Sequence, residues 1–229
     1  MSTRRTQAER SDTTTGKLVA AARNLFGHNG YAATSIAAIA TAAGVTKGAA
    51  YHHFTDKRAL FRAAFIAEQE WMAAELEQVA AAAPDSWTAL LTGCRTFLER
   101  SLEPRFRRIV VLDAPAVLGW DTVREIESDH TLRVLTSGLA LATAEGELSP
   151  GDLQIRRHLV FGALCEGGMM LARTEDPATA LPLVVAEAGR LLAALRTTAT
   201  HAEPLPDPCG PAADPLGHER VPGRRPHRS

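Results

Sequence analysis

Apolar residues recur at helical spacing along most of the chain, and the pattern breaks at glycine, proline and capping residues. Leu18, Ala21, Ala22, Leu25 and Phe26 form one stripe of a first helix over 15–29, closed by Gly30. Ile36, Ile39 and Ala40 share one face of a second helix over 35–42. Gly44 supplies a left-handed turn at no steric cost, and Thr46 can cap a short third helix. Together these stripes predict a small core in which the first helix packs on Ile36, Ile39, Val45, Tyr51 and Phe54. Asp56 then opens a helix running to about Ala83, roughly 40 Å at 1.5 Å per residue, which Pro84 stops. Helices follow over 86–101, over 105–114 up to an interruption at Pro115, and over 120–144 with breaks. A turn over 146–151 leads to a final pair, 153–174 and 179–198, around Pro177. The pattern is all-α.

The stretch Thr34 to Phe65, TSIAAIATAAGVTKGAAYHHFTDKRALFRAAF, is the most informative part. Two short helices crossing at a glycine turn form a helix-turn-helix, whose second helix is shaped to enter a DNA major groove. Lys47 and Lys57 each fall in a first helical turn, where the macrodipole disfavours a cation. A helix start with lysine and free amides suits an external anion such as phosphate. Gly48 costs its helix about 1 kcal/mol relative to alanine, and Ala49 and Ala50 beside it are equally bare. A leading face that small lets the backbone approach base edges, while Tyr51 and His52 project as larger polar tips.

Charge sharpens this picture only when the chain is divided. The net charge is −1, yet residues 1–62 hold nine basic against three acidic side chains, a balance of +6. Residues 63–200 hold twelve against nineteen, a balance of −7. A small basic unit beside an acidic one is an electrostatic footprint for a polyanion.

The run T-S-I-A-A-I-A-T-A-A-G-V-T-K-G-A-A-Y-H-H-F-T-D-K-R-A-L-F resembles the DNA-binding signature of the TetR family of bacterial transcriptional regulators. The resemblance extends without a gap from about Thr14 to Phe65. It implies an all-helical protein: an N-terminal three-helix domain with the helix-turn-helix, and a larger C-terminal helical domain for ligand binding and dimerisation. The resulting domain scheme is a flexible basic arm over 1–13, a DNA-binding domain over 14–62, an effector-binding and dimerisation domain over 63–200, and a disordered Pro-rich tail over 201–229. It implies double-stranded operator DNA as partner. Lys47, Gly48 and Ala49 would approach base edges, and Thr34, Thr46, Tyr51, His52 and Lys57 would anchor phosphates. His53 would face the supporting side. Arg4 and Arg5 would reach a minor groove from the arm or serve only as solubilising charges.

The remaining readings are thinner. The last two helices carry more apolar surface than one inward face needs, from Leu159 to Met169 and from Leu181 to Leu195, which points to a homodimer; the resemblance implies that they pair with their two-fold mates as a four-helix bundle. An unidentified small-molecule effector would sit among Trp87, Cys94, Phe97, Phe106, Asp113, Trp120, His130 and Met169, although aromatics at helical spacing also serve as plain core and Asp113 as a helix cap. No phosphate-cradling loop, nucleophile elbow or zinc-spaced Cys/His set appears, so neither an enzyme, a cofactor nor a metal is expected. Three scattered cysteines, no apolar run of membrane length and no signal-like start suggest a cytoplasmic chain with reduced thiols. The expected function is a ligand-responsive DNA-binding regulator, a repressor by the family resemblance. Alternatives are a ligand-dependent activator, an architectural DNA-binding protein without an effector, and a helical carrier or enzyme.

Overall fold

A computed structural model describes residues 7–197, with side chains from residue 11 onward. The basic pair Arg4 and Arg5 and the Pro-rich tail over 201–229 lie outside the described residues. Among the described residues there are eleven α-helices, one π-helical turn and a single antiparallel bridge, between Leu148 and Arg196. Helix α1 is Gln7–Ala33, α2 is Ile36–Ala42, α3 is Lys47–His53 and α4 is Lys57–Ala82. Helix α5, Ser86–Arg100, is followed by α6, Pro104–Phe106, the π-helical turn Arg107–Asp113 and α7, Ala114–Leu118. Helices α8, Trp120–Asp129, and α9, Thr131–Ala144, precede the long α10, Leu153–Arg173, and α11, Pro177–Ala193.

Local chemistry explains most boundaries. Ser35, Thr46 and Asp56 each accept a bond from a backbone amide three residues on and so start α2, α3 and α4. Gly44, at φ 68°, turns the chain between α2 and α3. Differences from the sequence pattern have physical causes too. Helix α1 begins at Gln7, ahead of its apolar stripe and within the segment expected to be a flexible arm, because a polar helix turn needs no core to continue. It bends at Gly30, whose φ of 78° and ψ of 169° are not helical. That backbone conformation favours glycine, and the Arg108 guanidinium packs into the space a Cβ would take. Pro115 does not interrupt a helix; it sits in the first turn of α7, where its missing N–H is harmless. Pro177 likewise opens α11.

The helix-turn-helix core differs from the expected one in a single aromatic. Leu18, Ala22, Phe26, Ile36 and Ile39 are buried as the pattern requires, but Tyr51 is 48% exposed. Its place is taken by Ala50, Leu60 and Phe61, all fully buried. The Phe61 ring meets both Phe26 and Tyr31 edge-on at 5.1 Å. Helix α4 therefore begins in this core and ends among α5 and α9.

Two carboxylates inside the helical body are answered by arginine. Glu68 is fully buried on α4, with Arg23 of α1 at 2.8 Å and Arg105 of α6 at 2.6 Å. Glu127 on α8 accepts from Arg124 at 2.9 Å. Burial pushes the Glu127 carboxyl up to about 7, and the neighbouring Arg124 charge only partly opposes that. A carboxyl raised above its unfolded value holds its proton more tightly in the folded state between about pH 4.5 and pH 7. Its contribution is therefore present below the unfolded value and lost as pH rises through the folded one. Glu127→Gln should thus remove a fall in stability, on the order of 2 kcal/mol, that the unmodified protein shows between pH 5 and pH 8. Urea midpoints at fixed protein concentration measure it; an equal fall in both proteins would contradict the assignment.

Candidate functional site

Helix α3 presents its polar residues together because its one buried residue, Ala50, and the half-buried His53 and Phe54 fix the opposite face on the core. Thr46, Lys47, Gly48, Tyr51 and His52 are exposed, and Ala49 is half-buried beside them. The Thr46 hydroxyl accepts the Ala49 amide at 3.1 Å. Lys47 Nζ lies 5.8 Å from the centre of the Tyr51 ring. His53 points inward, with Nδ1 3.2 Å from Thr15 Oγ1. At Gly48 an added Cβ would meet nothing nearer than Thr46 Oγ1, at 4.0 Å. The fold thus does not need a glycine there, although the residue weakens its helix.

Two residues of the expected phosphate set stand apart. Thr34 is 3% exposed, and its hydroxyl donates to Gly30 O at 2.8 Å and Leu25 O at 3.2 Å. It braces the bend after α1 from within. Lys57 donates to Tyr31 O at 2.9 Å with its ammonium 4.2 Å from the Tyr31 ring, so it also serves the end of α1. Sequence spacing could not show either contact, since each depends on how α1 closes.

Several cavities open among the C-terminal helices, two of them around the expected effector residues. A cleft opens between α4, α5, the π-helical turn, α8 and α10. Phe97, Phe106, Trp120 and Met169 line it, as the sequence suggests, with Gln69, Arg124, Glu127 and Glu166 as its polar groups. A second, smaller space is lined by Cys94, Phe97, Phe161, Thr131 and aliphatic side chains. Trp87, Asp113 and His130 line neither. Trp87 lies under the Arg196 guanidinium at 4.7 Å, and His130 sits at the junction of α8 and α9. Asp113 neither caps a helix nor meets the cleft: it accepts the Tyr31 amide at 2.8 Å and pairs with Arg108 at 3.1 Å.

Gln69, Arg124 and Glu127 escaped the sequence reading, yet a signal was present. Glu127 falls on the stripe of Val123 and Ile126, and Gln69 between Phe65 and Met72, so each is a polar residue at an apolar-face position. Burial pushes the Cys94 and Cys165 thiols up to about 12, which leaves no activated nucleophile at either. Among the described residues, no group of three His, Cys, Asp or Glu side chains is placed to hold a metal ion, and no helix is long and apolar enough to cross a membrane.

Comparison with known proteins agrees with this geometry. The model for bacterial regulatory proteins of the tetR family matches residues 18–64, and that for tetracyclin repressor-like C-terminal domains matches residues 87–195. The probable transcriptional regulator ArpR of Pseudomonas putida is 32% identical over 169 residues, covering 69% of this chain and 78% of its own. A solved TetR-family regulator from Pectobacterium atrosepticum is 33% identical with a TM-score of 0.74, over 85% of this chain and 99% of its own. The structure of RolR with resorcinol shares the fold at a TM-score of 0.65 and 21% identity, over 82% of this chain and 93% of its own. On matches to both halves and a relative of this identity and coverage, the chain belongs to the TetR family of helix-turn-helix transcriptional regulators.

Proposed function

We propose that the protein is a homodimeric repressor that leaves its operator when a small molecule enters the C-terminal cleft. The observation that carries this reading is the α3 surface: an exposed lysine, tyrosine and histidine around a glycine, none of them used by the fold. In this reading residues 14–62 bind DNA, and residues 63–200 bind effector and partner. Lys47 reads guanine O6 or N7, while Gly48 and Ala49 let the helix approach the bases. Thr46, Tyr51 and His52 hold phosphates and set the register. Thr34 and Lys57 support this surface from behind.

Dimerisation is supported by what α10 and α11 leave uncovered. Ile155, Leu159 and Met170 on α10, and Leu183 and Leu191 on α11, are all more than half exposed. Leu159 lies one turn from Ile155, and a Cβ at the next step, Gly162, would meet nothing within 4 Å. Such a run of large apolar side chains is costly in water and fits a second copy of itself.

Coupling between cleft and α3 is supported by the segment 104–118, which has two working faces. Phe106, Val110, Val111 and Pro115 form a wall of the cleft. On the other side Asp113 holds the Tyr31 amide, and α7 offers its Val117 and Leu118 carbonyls to Arg58 at 3.0 and 2.9 Å. A ligand that displaces the wall therefore displaces the end of α1 and the start of α4. It releases DNA only if it binds the off-DNA state better; the opposite preference would make the protein a ligand-dependent activator. RolR, which shares the fold, holds resorcinol, and this supports a small-molecule effector here.

Fluorescence anisotropy on the protein's own upstream DNA against a scrambled duplex, at one stated salt concentration, tests the reading. A preference of about a thousandfold or more is expected; equal affinity would remove sequence-specific regulation. Lys47→Ala should weaken operator binding by about 1–3 kcal/mol, relax base preference and lower the salt slope by about one. Leu159→Arg should give monomers in sedimentation and lose operator binding while keeping its helical circular dichroism. A dimeric Leu159→Arg protein would place the interface elsewhere.

A further inference from the structure

The cleft and the second chamber touch at one side chain. Phe97 lines both, with open space on either side of it. Its ring meets Phe106 at 6.3 Å and Phe161 at 6.1 Å, contacts of packing alone that a rotation can exchange for ligand. Beside it, Thr131 of the chamber donates to Gln69 of the cleft at 2.8 Å, and this buried hydrogen bond completes the partition.

The two spaces ask for different chemistry. Thr131 is the one hydroxyl in the chamber lining, and its proton already serves Gln69. Everything else there is aliphatic, aromatic or the buried Cys94 thiol, so the chamber suits an apolar body. The cleft is polar, and its one buried charge is paired. Arg124 is already matched by Glu127, while Glu166 is an exposed carboxylate of the lining. An anionic head would have to break the Arg124–Glu127 pair and face Glu166; a cationic head would have only the exposed Glu166 to pair with and would meet the Arg124 guanidinium as well. An uncharged hydroxyl disturbs neither. It can donate to Glu127 and accept from the amide N–H of Gln69, whose carbonyl oxygen Thr131 holds in place.

We propose that the effector is an uncharged amphipathic alcohol or phenol, its hydroxyl held by Glu127 and Gln69 in the cleft and its apolar tail passing Phe97 into the Cys94 chamber. This rests on the effector reading above. The geometry makes chain length the variable to follow, because only a tail that passes Phe97 gains the second burial. It also makes Gly93 the place to block it: an added Cβ there would meet only Leu76 Cδ2, at 4.0 Å, so a larger side chain grows into the chamber.

Isothermal titration of the full-length protein with 4-alkylphenols from methyl to hexyl tests the proposal, with 4-alkylbenzoates and 4-alkyl-trimethylaniliniums as charged counterparts. The phenols should bind, tightening about threefold to fourfold per methylene along the series, and the charged series should be at least tenfold weaker. Gly93→Leu should leave methylphenol unchanged and weaken hexylphenol at least tenfold. Phe97→Ala, which opens the partition, should tighten hexylphenol relative to methylphenol; circular dichroism and melting verify that both variants fold. Equal binding of a charged series, a flat length dependence, or no binding at all would overturn the proposal. So would an unchanged length dependence in both variants. Anisotropy with operator DNA is read separately: tight hexylphenol binding without DNA release upholds the two-chamber site and overturns only its role in regulation.

Discussion

The fold turns on one buried charge. Glu68 is fully buried where α1, α4 and α6 converge, and its Oε1 meets Arg23 from one side and Arg105 from the other. Its Oε2 has no hydrogen-bond partner among the described residues, so the carboxylate has no other source of compensation. Removing either arginine would leave part of a charge unanswered in a medium that opposes it by several kcal/mol. Such a triad adds little net stability over an apolar packing of equal volume, but it allows only one register. Gly27 makes that register reachable, because a Cβ there would lie 2.7 Å from Arg105 Cγ. The helix-turn-helix is consequently held against the C-terminal helices by a contact that specifies position more than it adds strength.

That fixed position gives the segment after Arg105 its consequence. An ordinary α-helix through 104–118 repeats its faces every 3.6 residues; the wider turn of Arg107–Asp113 shifts the phase within a few residues. Val110 and Val111 therefore line the cleft while Arg108 and Asp113 reach back to Gly30 and Tyr31. Arg108 packs against the bend at Gly30 and Asp113 holds the Tyr31 amide, so a shift of this segment is felt at the end of α1. Arg58 ties the far end of the same segment to the start of α4. The α3 surface is thus carried by two helices whose ends are both fastened to one wall of a cavity.

What was legible in the sequence follows from range. The caps Ser35, Thr46 and Asp56, the turn at Gly44 and the stop before Pro84 act within four residues, and all lie where the pattern puts them. The exposed residues of α3 follow from the same local phase; Tyr51 reads both as a projecting tip and as a core aromatic, because helical spacing cannot say whether an aromatic at the edge of a stripe turns in or out. Contacts between distant residues were not legible. Tyr31 and Asp113 are 82 positions apart, and nothing at either position announces the bond. Asp113 before a proline reads as a cap, and Trp87 reads as a pocket aromatic; only packing assigns one to the α1 bend and the other to Arg196. Glu68, Gln69 and Glu127 were legible in part, as polar residues interrupting apolar stripes, but which partner answers each is a tertiary fact.

The partition at Phe97 also decides how a ligand in this cleft can do work. Moving a two-state protein from one per cent to ninety-nine per cent of its second state needs about 5.5 kcal/mol of differential binding. In a dimer with two sites, each needs to supply only about half, roughly 3 kcal/mol. Contacts to Glu127 and Gln69 that exist in both states contribute nothing to that difference, however tight they are. Burial beyond Phe97 does contribute, provided the chamber opens in one state alone. At about 0.8 kcal/mol per methylene, roughly four buried carbons meet the requirement. A ligand that neither displaces the wall of 104–118 nor passes Phe97 would bind and leave the equilibrium where it was; one whose tail enters a chamber open in one state alone would move it.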